Sequence, residues 1–442
     1  MDDEELVYLL SKWNFWNGEI ETGIERPQYL DMILRLLNEN NIIAETGIRR
    51  SGKSFIAKQV IKKLIVKHGS QNTLIINLED ERLSIKNYDL LLQIYDAYKK
   101  IIKPNKKSII VIDEAQEVDG WERFVRGITE RNEASFIVTG SSSKLLSSEF
   151  STLLSGRQIT VYITPLDFSE FLSFNNIQLD DRSIVLNEEK LIRYFDEFLL
   201  YGGFPAVVIN KEKEELLLNY FDAITVKDIV SRYKIREVSK LRALMKFYFT
   251  NIASEITYNS TAKFLKIPIK TAQRFSEYIV NANVIFFVER FSFSLKEREN
   301  SPRKIYSIDN GIALALGTNF VEIKGRALEN IVAQQLFRIC QRDKKSSIYY
   351  WREDSALTGK SVDFIFKSGN HLLPIQVAYE IKNEKTKNRE LQSLIKCTKS
   401  INVKQGIIIT YNFSGEENIE GIHIKYIKAY KWLLHAEREV RL

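Results

Sequence analysis

Short apolar runs alternate with amphipathic stretches along the first third of the chain. The apolar runs cover residues 42–44, 73–78, 108–113, 135–140 and 158–163. Continuous apolar runs of this kind are typical of parallel strands that are buried on both faces. Between the runs, apolar residues recur every three or four positions, which indicates helices with one buried face. The alternation predicts an α/β domain built on a parallel sheet.

Two other patterns follow in the rest of the chain. Residues 166–255 have helix-type spacing almost throughout. In residues 256–320, two helices joined by a short turn precede two β-rich runs, which predicts a winged helix-turn-helix. Residues 321–442 alternate helix and strand again.

Length and composition restrict the class of protein. A chain of 442 residues is too long for one hydrophobic core, which suggests three or four domains. The 44% hydrophobic and 11% aromatic content is that of a folded protein. With only two cysteines we expect a reducing compartment without a disulfide framework. The N-terminus is acidic, and no apolar run approaches the roughly 20 residues of a membrane-spanning helix, so we expect a cytoplasmic protein without a membrane partner.

The charge is distributed unevenly along the chain. Residues 1–210 contain 25 Lys and Arg against 31 Asp and Glu, a net charge of −6. The net charge is +6 in residues 211–320 and +7 in residues 321–442. A basic C-terminal half favours a polyanionic partner, most simply DNA, although a basic surface without a partner is the alternative.

A phosphate-binding loop motif, G-x-x-x-x-G-K-[ST], lies between the first apolar run and the helix that follows it. Its glycines allow the backbone N–H groups to point at phosphate oxygens, its lysine reaches the β- and γ-phosphates, and its serine holds Mg²⁺. The motif therefore predicts that a nucleoside triphosphate binds here with Mg²⁺, and the cofactors that we expect, given the resemblance described below, are ATP and Mg²⁺. The residues predicted to contact ATP here are Gly47, Ile48, Arg49, Arg50, Ser51, Gly52, Lys53, Ser54 and Phe55.

Two adjacent carboxylates end the third apolar run. Ligands of parallel α/β sheets bind beyond the carboxyl ends of the strands, where Asp113 and Glu114 would lie. We expect Asp113 to bind Mg²⁺ together with Ser54, and Glu114 to activate the attacking water. A solvated strand end is the alternative.

Two further residues are candidates for contacts with the γ-phosphate. Ser141 follows the fourth run and is the first choice for a sensor, although serine also caps helices. Arg157 is a candidate arginine finger that acts on nucleotide bound by a neighbouring subunit, although a lone arginine is usually a surface charge. An arginine finger acting in trans requires a homo-oligomer in the ATP state.

The second helix of the predicted winged helix-turn-helix presents a polar face. Lys270, Gln273 and Arg274 lie on that face, and Lys263 lies on the preceding helix. We predict that these four residues contact DNA. Winged helices also serve as protein-interaction modules, so a protein partner is the alternative.

Several motifs together resemble prokaryotic AAA-type ATPases of the AAA+/STAND superfamily. They are GIRRSGKS, INLEDERL, IIVIDEAQEVDGWERFV, IVTGSSSKLLSSE and LLSGR. The resemblance implies a P-loop core at 1–165 and a helical lid at 166–255. It also implies that Pro205, in YGGFP, contacts adenine from the lid, where a plain turn between helices is the alternative.

The order of elements in residues 321–442 resembles the PD-(D/E)xK nuclease fold of restriction endonucleases. Glu329 fits the helical glutamate of that fold and Asp363 its central aspartate. Where E-x-K is expected, the chain has Gln376-Val377-Ala378. The nearby Glu380 and Lys382 reproduce the E-x-K motif, but they lie near the end of the predicted strand. The resemblance therefore implies a nuclease-like domain, and the departures favour binding over cleavage.

The sequence as a whole predicts an Mg²⁺-dependent AAA-type ATPase that couples its nucleotide state to a basic, DNA-binding C-terminal half. The predicted domains are 1–165 (ATPase core), 166–255 (lid), 256–320 (winged helix) and 321–442 (nuclease-like domain). Two alternatives stay open. One is a STAND-like signalling switch with slow turnover and protein partners, and the other is an ATP-licensed DNA nuclease.

Overall fold

The chain divides into two compact units in a computed structural model. The first unit is Met1–Ile163 with Asn281–Asn283, and the second is Thr164–Val280 with Val284–Leu442. The described residues are 2–39, 41–83, 85–141, 158–177, 187–316, 320–353, 359–381 and 384–441, without the side chains of 320–323, 385 and 386.

The first unit is built on a parallel sheet. Its strands are β1 (Ile42–Thr46), β2 (Thr73–Asn77), β3 (Ser108–Asp113), β4 (Ala134–Gly140) and β5 (Gln158–Tyr162). Its helices are α1 (Asp3–Ser11), α2 (Pro27–Glu39), α3 (Lys53–His68), α4 (Tyr88–Ala97) and α5 (Trp121–Glu130). Among the described residues the strand order is β2-β3-β4-β1-β5, and every pair is parallel.

Both faces of this sheet are buried, which explains the continuous apolar runs. On one face, Ile42, Ile110 and Val138 pack with α1, α4 and α5. On the other face, Ile43 and Val111 pack with α2 and α3. Because successive side chains of a strand point to opposite faces, β1, β2, β3 and β4 contribute to both cores, and the edge strand β5 contributes to the second core. The predicted α/β fold with a P-loop type parallel sheet is confirmed.

The second unit begins with helices. They are α6 (Phe168–Phe174), α7 (Glu188–Tyr201), α8 (Pro205–Ile209), α9 (Lys213–Ala223) and α10 (Val238–Thr250). A π-helical segment, Ile224–Ser231, continues from α9. Next come the short strand β6 (Glu255–Ile256) and two helices, α11 (Tyr258–Leu265) and α12 (Ile269–Asn281).

A mixed sheet forms the remainder of the second unit. Its other strands are β7 (Ile285–Arg290), β8 (Arg303–Ser307), β9 (Ser346–Arg352), β10 (Ser361–Ser368), β11 (His371–Ala378), β12 (Gln405–Thr410), β13 (Gly415–Ile419) and β14 (Ile422–Lys428). The helices are α13 (Leu295–Asn300), α14 (Asn310–Ala315), α15 (Phe320–Arg342), α16 (Glu384–Ser400) and α17 (Ala429–Glu439). In the described part of the chain, the strand order is β13-β14-β12-β11-β10-β9-β7-β8-β6.

One parallel pairing joins this sheet across the predicted boundary at residue 320. Glu289 and Arg290 of β7 pair with Tyr349 and Tyr350 of β9. The strands that follow α12 are therefore hydrogen-bonded to those of the C-terminal segment. The four-domain division itself stays a prediction. No helix among the described residues has the length and apolar character needed to cross a membrane.

Candidate functional site

The phosphate loop connects β1 to α3 through two glycines in conformations that other residues rarely adopt. Gly47 has φ 142° and Gly52, the residue before α3, has φ 98°. A Cβ on Gly47 would lie 2.0 Å from the carbonyl oxygen of Ile163. Because glycine alone tolerates both the positive φ and this approach, the loop can curl at the N-terminus of α3, where backbone N–H groups are unpaired by the helix.

Lys53 lies at the start of α3 and folds over the loop. Its buried Nζ donates hydrogen bonds to the carbonyl oxygens of Gly47 and Ile48, both at 3.1 Å. These carbonyls are neutral acceptors, whereas phosphate oxygens are charged and form stronger hydrogen bonds with an ammonium. The lysine is therefore placed to exchange these contacts for phosphate.

Ser54, Asp113 and Thr139 meet beside the loop. The Ser54 hydroxyl donates to Asp113 Oδ1 at 2.8 Å, and the Thr139 hydroxyl donates to the same oxygen at 2.5 Å. β4 lies between β1 and β3, so its Thr139 reaches the carboxylate at the end of β3. A carboxylate and a hydroxyl this close form a set of oxygens of the type that Mg²⁺ prefers. These residues fit the predicted metal.

Glu114 is buried and held in a strained conformation just beyond β3. Its φ is 56°, and its backbone N–H donates to Thr139 Oγ1 at 3.1 Å. Burial raises the pKa of Glu114, but the charges of Lys53 and Arg49, together with hydrogen bonds from Gln116 and the Ser141 N–H, hold the pKa below its usual value. Burial and the charge of Glu114 in turn raise the pKa of Asp113. Glu114 is thus ionised at neutral pH, as a proton acceptor must be.

The two arginines of the loop have different environments. Arg49 is buried, and its guanidinium pairs with Glu79 Oε1 at 2.8 Å, just beyond β2. Arg50 is exposed and has φ 71°. Arg49 thus links the loop to the segment that follows the edge strand β2, and Arg50 faces solvent.

Sequence reasoning missed three buried polar residues around the loop. One is Thr139, which contacts Asp113 and the backbone of Glu114. Arg26 donates from Nη1 to the carbonyl oxygen of Ser51 at 2.9 Å and so supports the loop from outside. Glu45 is fully buried in β1, and neither of its carboxyl oxygens has a hydrogen-bond partner among the described residues. A signal existed for Glu45, because a carboxylate stands in an otherwise apolar strand directly before the motif.

The remaining candidates of the ATPase site are placed as follows. Ser141 is buried after β4, and its backbone N–H donates to the Glu114 carboxylate. Phe55 is 42% exposed in the first turn of α3. Pro205 begins α8 in the second unit. Arg157 lies outside the described residues. The roles of these residues stay predictions.

The glycines that precede Pro205 have a packing reason. Asp309 Oδ2 accepts the N–H of Gly203 at 2.7 Å, and Oδ1 accepts that of Gly311 at 2.8 Å. A Cβ on Gly202, which has φ 72°, would lie 2.0 Å from Asp309 Oδ1. Burial raises the pKa of Asp309 to about 6, against the lowering effect of these two N–H donors. The turn is thus fixed by a buried carboxyl group that the motif does not contain.

The residues predicted to contact DNA are all exposed. Lys263 lies on α11, and Lys270, Gln273 and Arg274 lie on α12. On the opposite side of α12, Phe275 and Ile279 are buried. The helix therefore presents its polar residues to solvent.

The three nuclease-like residues line a cavity of about 560 Å³ in the second unit. Glu329 comes from α15, Asp363 from β10 and Gln376 from β11. Gln376 Oε1 accepts the N–H of Asp363 at 3.2 Å, and its Nε2 donates to Glu390 at 2.8 Å. The structure thus brings the three residues together. Glu380 is exposed beyond the end of β11, and Lys382 lies outside the described residues.

Matches to protein-family models agree with the sheet and the loop. An AAA domain covers residues 39–172, and two domains of unknown function, DUF8612 and DUF4143, cover residues 192–323 and 324–430. The parallel sheet, the phosphate loop and this match together define an AAA-type P-loop ATPase domain in the first unit.

Two relatives match nearly the whole chain. The uncharacterized protein MJ1544 of Methanocaldococcus jannaschii is 34% identical over 424 residues, which cover 91% of this chain and 90% of the relative. An uncharacterized protein of Haemophilus influenzae is 30% identical over 422 residues, which cover 93% and 98%. The chain belongs to the same AAA-domain family as these two proteins.

Solved structures show more distant likeness. The Walker-type ATPase PABY2304 of Pyrococcus abyssi aligns with 66% of this chain and 96% of its own, at 15% identity and a TM-score of 0.42. A DNA replication initiation factor aligns with 62% of this chain and 96% of its own, at 16% identity and a TM-score of 0.26. Both scores are too low to support a conclusion about this chain.

Proposed function

We propose that this protein hydrolyses ATP with Mg²⁺ at the phosphate loop of the first unit. The observation that carries the proposal is the meeting of Ser54, Asp113 and Glu114 beside Lys53 at the carboxyl ends of β1, β3 and β4. Each role in hydrolysis of the phosphoanhydride bond between the β- and γ-phosphates then has a side chain of suitable chemistry within this one group.

The chain's own residues perform the following steps. Lys53 leaves the loop carbonyls and binds phosphate oxygens, while Ser54 and Asp113 would hold Mg²⁺, which supplies charge neutralisation for the transferred phosphoryl group. The ionised Glu114 accepts the proton of the attacking water. Thr139 keeps Asp113 and the backbone of Glu114 in position through its two hydrogen bonds.

Two variants test this assignment. We expect Lys53→Ala to abolish ATP binding and Glu114→Gln to bind ATP normally but to hydrolyse it at least about a hundred-fold more slowly. Glu117→Gln, an exposed carboxylate three residues away, is the control and should turn over like the wild type. Normal turnover by Glu114→Gln would show that another group activates the water.

We further propose that α11 and α12 bind duplex DNA and that this binding is coupled to nucleotide state. The exposed Lys263, Lys270 and Arg274 support this proposal, since α12 has the amphipathic character of a recognition helix. The arginines of the β7–β8 segment contribute less, because Arg298 and Arg303 pair with Glu289 and Glu299.

The DNA proposal is tested by salt dependence and by ATPase rate. We expect binding to weaken steeply with salt, Lys270→Glu/Arg274→Glu to weaken it at every sequence, and duplex DNA to change the ATPase rate. Lys246→Glu, an exposed lysine of α10, is the control. If DNA leaves turnover unchanged and no salt slope is found, a STAND-like switch with a protein partner is the better proposal. Solution mass with and without ATP tests the predicted homo-oligomer.

A further inference from the structure

A buried lysine joins the two acidic residues of the nuclease-like site. The Nζ of Lys304 lies 2.9 Å from Glu329 Oε1 and 2.8 Å from Asp363 Oδ1. The three side chains are nearly inaccessible, with 7%, 13% and 10% of their surface exposed. Tyr306 lies two residues further along β8, on the same face, and donates to Glu329 Oε1 at 2.7 Å.

The position between the carboxylates is the one that a divalent cation would need. It is taken here by an ammonium group that pairs with both acids. The other oxygen of Asp363 accepts the N–H of Val377 at 3.0 Å, and the amide of Gln376 is engaged by Asp363 and Glu390. Over the described residues, no group of three or more His, Cys, Asp or Glu side chains is arranged to hold a metal. The residues present therefore do not fit the metal that the nuclease resemblance implies.

Sheet pairing fixes the lysine in this position. β8 pairs with β6 on one side and with β7 on the other, and Lys304 is opposite Glu255 in β6 and Val288 in β7. β7 in turn pairs with β9, so β8 belongs to the same sheet as Asp363. Removing the ammonium from the site would require either a large rotation of a buried side chain or a break in the sheet.

We propose that Lys304 is a built-in cation that replaces the divalent metal of this nuclease-like site. The lysine, Glu329 and Asp363 form a structural ion-pair cluster that ties β8 to α15 and β10. The C-terminal segment is therefore a metal-independent module, and it does not cleave nucleic acid through a metal at this site. This inference concerns the second unit and is independent of the proposed ATPase activity.

The test is a titration of the full-length chain with Mn²⁺ in the absence of nucleotide. Electron paramagnetic resonance measures how many Mn²⁺ ions bind per chain. We expect Asp363→Asn to leave the Mn²⁺ titration of the wild type unchanged. Lys304→Ala should gain one Mn²⁺ per chain, because it leaves two facing carboxylates without a cation, and the double variant Lys304→Ala/Asp363→Asn should lose that ion again. Lys367→Ala removes an exposed lysine from the same strand as Asp363 and should gain nothing.

Thermal unfolding supplies a second reading that does not require activity. Lys304→Ala should have a lower Tm than the wild type, because it leaves buried charges uncompensated, and Mn²⁺ should restore part of the loss. Mn²⁺ should not raise the Tm of the second unit of the wild type. An Mn²⁺ ion in the wild type that is lost in Asp363→Asn would overturn the proposal, and so would a folded Lys304→Ala that gains no ion. If Lys304→Ala does not fold, the Mn²⁺ titrations of wild type and Asp363→Asn still test the proposal. Equal titrations support it, and an ion lost in Asp363→Asn overturns it.

Discussion

Glu45 lies in β1, the strand before the phosphate loop, and its buried carboxyl group does not stabilise the fold through any hydrogen bond among the described residues. Burial and the charge of Asp113 raise its pKa well above the usual value, against the lowering effect of Lys53. A buried polar group without a partner costs about 1–3 kcal/mol. Because this carboxyl group lies close enough to Asp113 and to the proposed phosphate-binding Lys53 to interact with their charges, we expect it to serve function.

We therefore predict opposite effects of one substitution on stability and activity. Glu45→Met, which replaces the carboxyl group by an apolar chain of similar size, should raise the free energy of unfolding of the first unit by about 1–3 kcal/mol while lowering ATP hydrolysis. Urea unfolding and steady-state ATPase rates measure the two effects. Glu45→Gln keeps the shape and polarity and should change stability less. Greater stability with full activity would leave Glu45 without a functional reason.

Asp309 predicts a dependence of stability on pH. Its pKa in the folded protein is about 6, above the ordinary 3.8, so the folded state holds the proton more tightly than the unfolded state. Its contribution to stability is then full below pH 3.8 and falls as the pH rises towards 6. The expected loss is about 3 kcal/mol, at 1.36 kcal/mol per unit of pKa.

The difference between wild type and Asp309→Asn isolates this effect. The asparagine cannot titrate, so the wild type should lose about 3 kcal/mol relative to the variant between about pH 2 and pH 7 in urea unfolding, of which roughly 2.4 kcal/mol falls between pH 4 and pH 7. A constant offset is also expected, because asparagine accepts fewer hydrogen bonds from Gly203 and Gly311 than a carboxylate. A difference that does not change with pH would show that Asp309 is not protonated more readily in the folded protein.

The sequence identified residues that stand together in a motif, and apart from Glu45 the residues that it missed are brought close only by the fold. Lys53, Ser54, Asp113 and Glu114 lie in two short stretches whose chemistry can be read directly. Thr139 is 26 residues from its partner Asp113 in the sequence. It reaches Asp113 because β4 lies beside β3, which periodicity alone does not show. Lys304 was missed for the same reason, since it comes from a strand assigned to another domain.

At the scale of elements, the edge of the parallel sheet at β2 is closed by a side chain. Asn14 follows α1, donates to the carbonyl oxygen of Ile75 at 2.9 Å and accepts the N–H of Ile75 at 2.7 Å. An exposed strand edge otherwise offers unpaired N–H and C=O groups to other chains. The segment after α1 thus covers the edge of the sheet at Ile75.

Loss of this contact should be costly. Asn14→Ala leaves two buried backbone groups of Ile75 without this partner, and we expect the free energy of unfolding to fall by about 2–4 kcal/mol. Urea unfolding measures the change, and Asn17→Ala, at an exposed position three residues away, should have little effect. Equal stability of Asn14→Ala and wild type would mean that water or a neighbouring group satisfies Ile75.

Helices and apolar strands were predicted well because their periodicity is local. The joining of β7 to β9 was not predicted, because it pairs Glu289 with Tyr349 across a long stretch of intervening chain. Main-chain hydrogen bonds can form between any two neighbouring strand edges, whatever their side chains. A short pairing of this kind therefore leaves no pattern in the amino-acid sequence that would predict it. The sequence therefore indicated the elements on both sides of residue 320 without indicating that they share a sheet.

At the scale of the whole molecule, the two units have separate cores, one on each face of the parallel sheet and another against the mixed sheet. The residues that we propose for ATP hydrolysis and that interact with one another all lie in the first unit. They are Lys53, Ser54, Asp113, Glu114 and Thr139. A ligand that binds one folded unit stabilises that unit by mass action, by about 2.7 kcal/mol at a hundred times its dissociation constant.

We therefore expect two transitions in calorimetric unfolding, of which ATP with Mg²⁺ raises the Tm of only one. Lys53→Ala should abolish the shift, because it removes phosphate binding, and should leave the other transition in place. Lys304→Ala should lower the Tm of that other transition and keep the ATP-dependent shift, which assigns each transition to its unit. One transition that shifts as a whole with ATP would show that the two units unfold together and would contradict the assignment of nucleotide binding to an independently folded first unit.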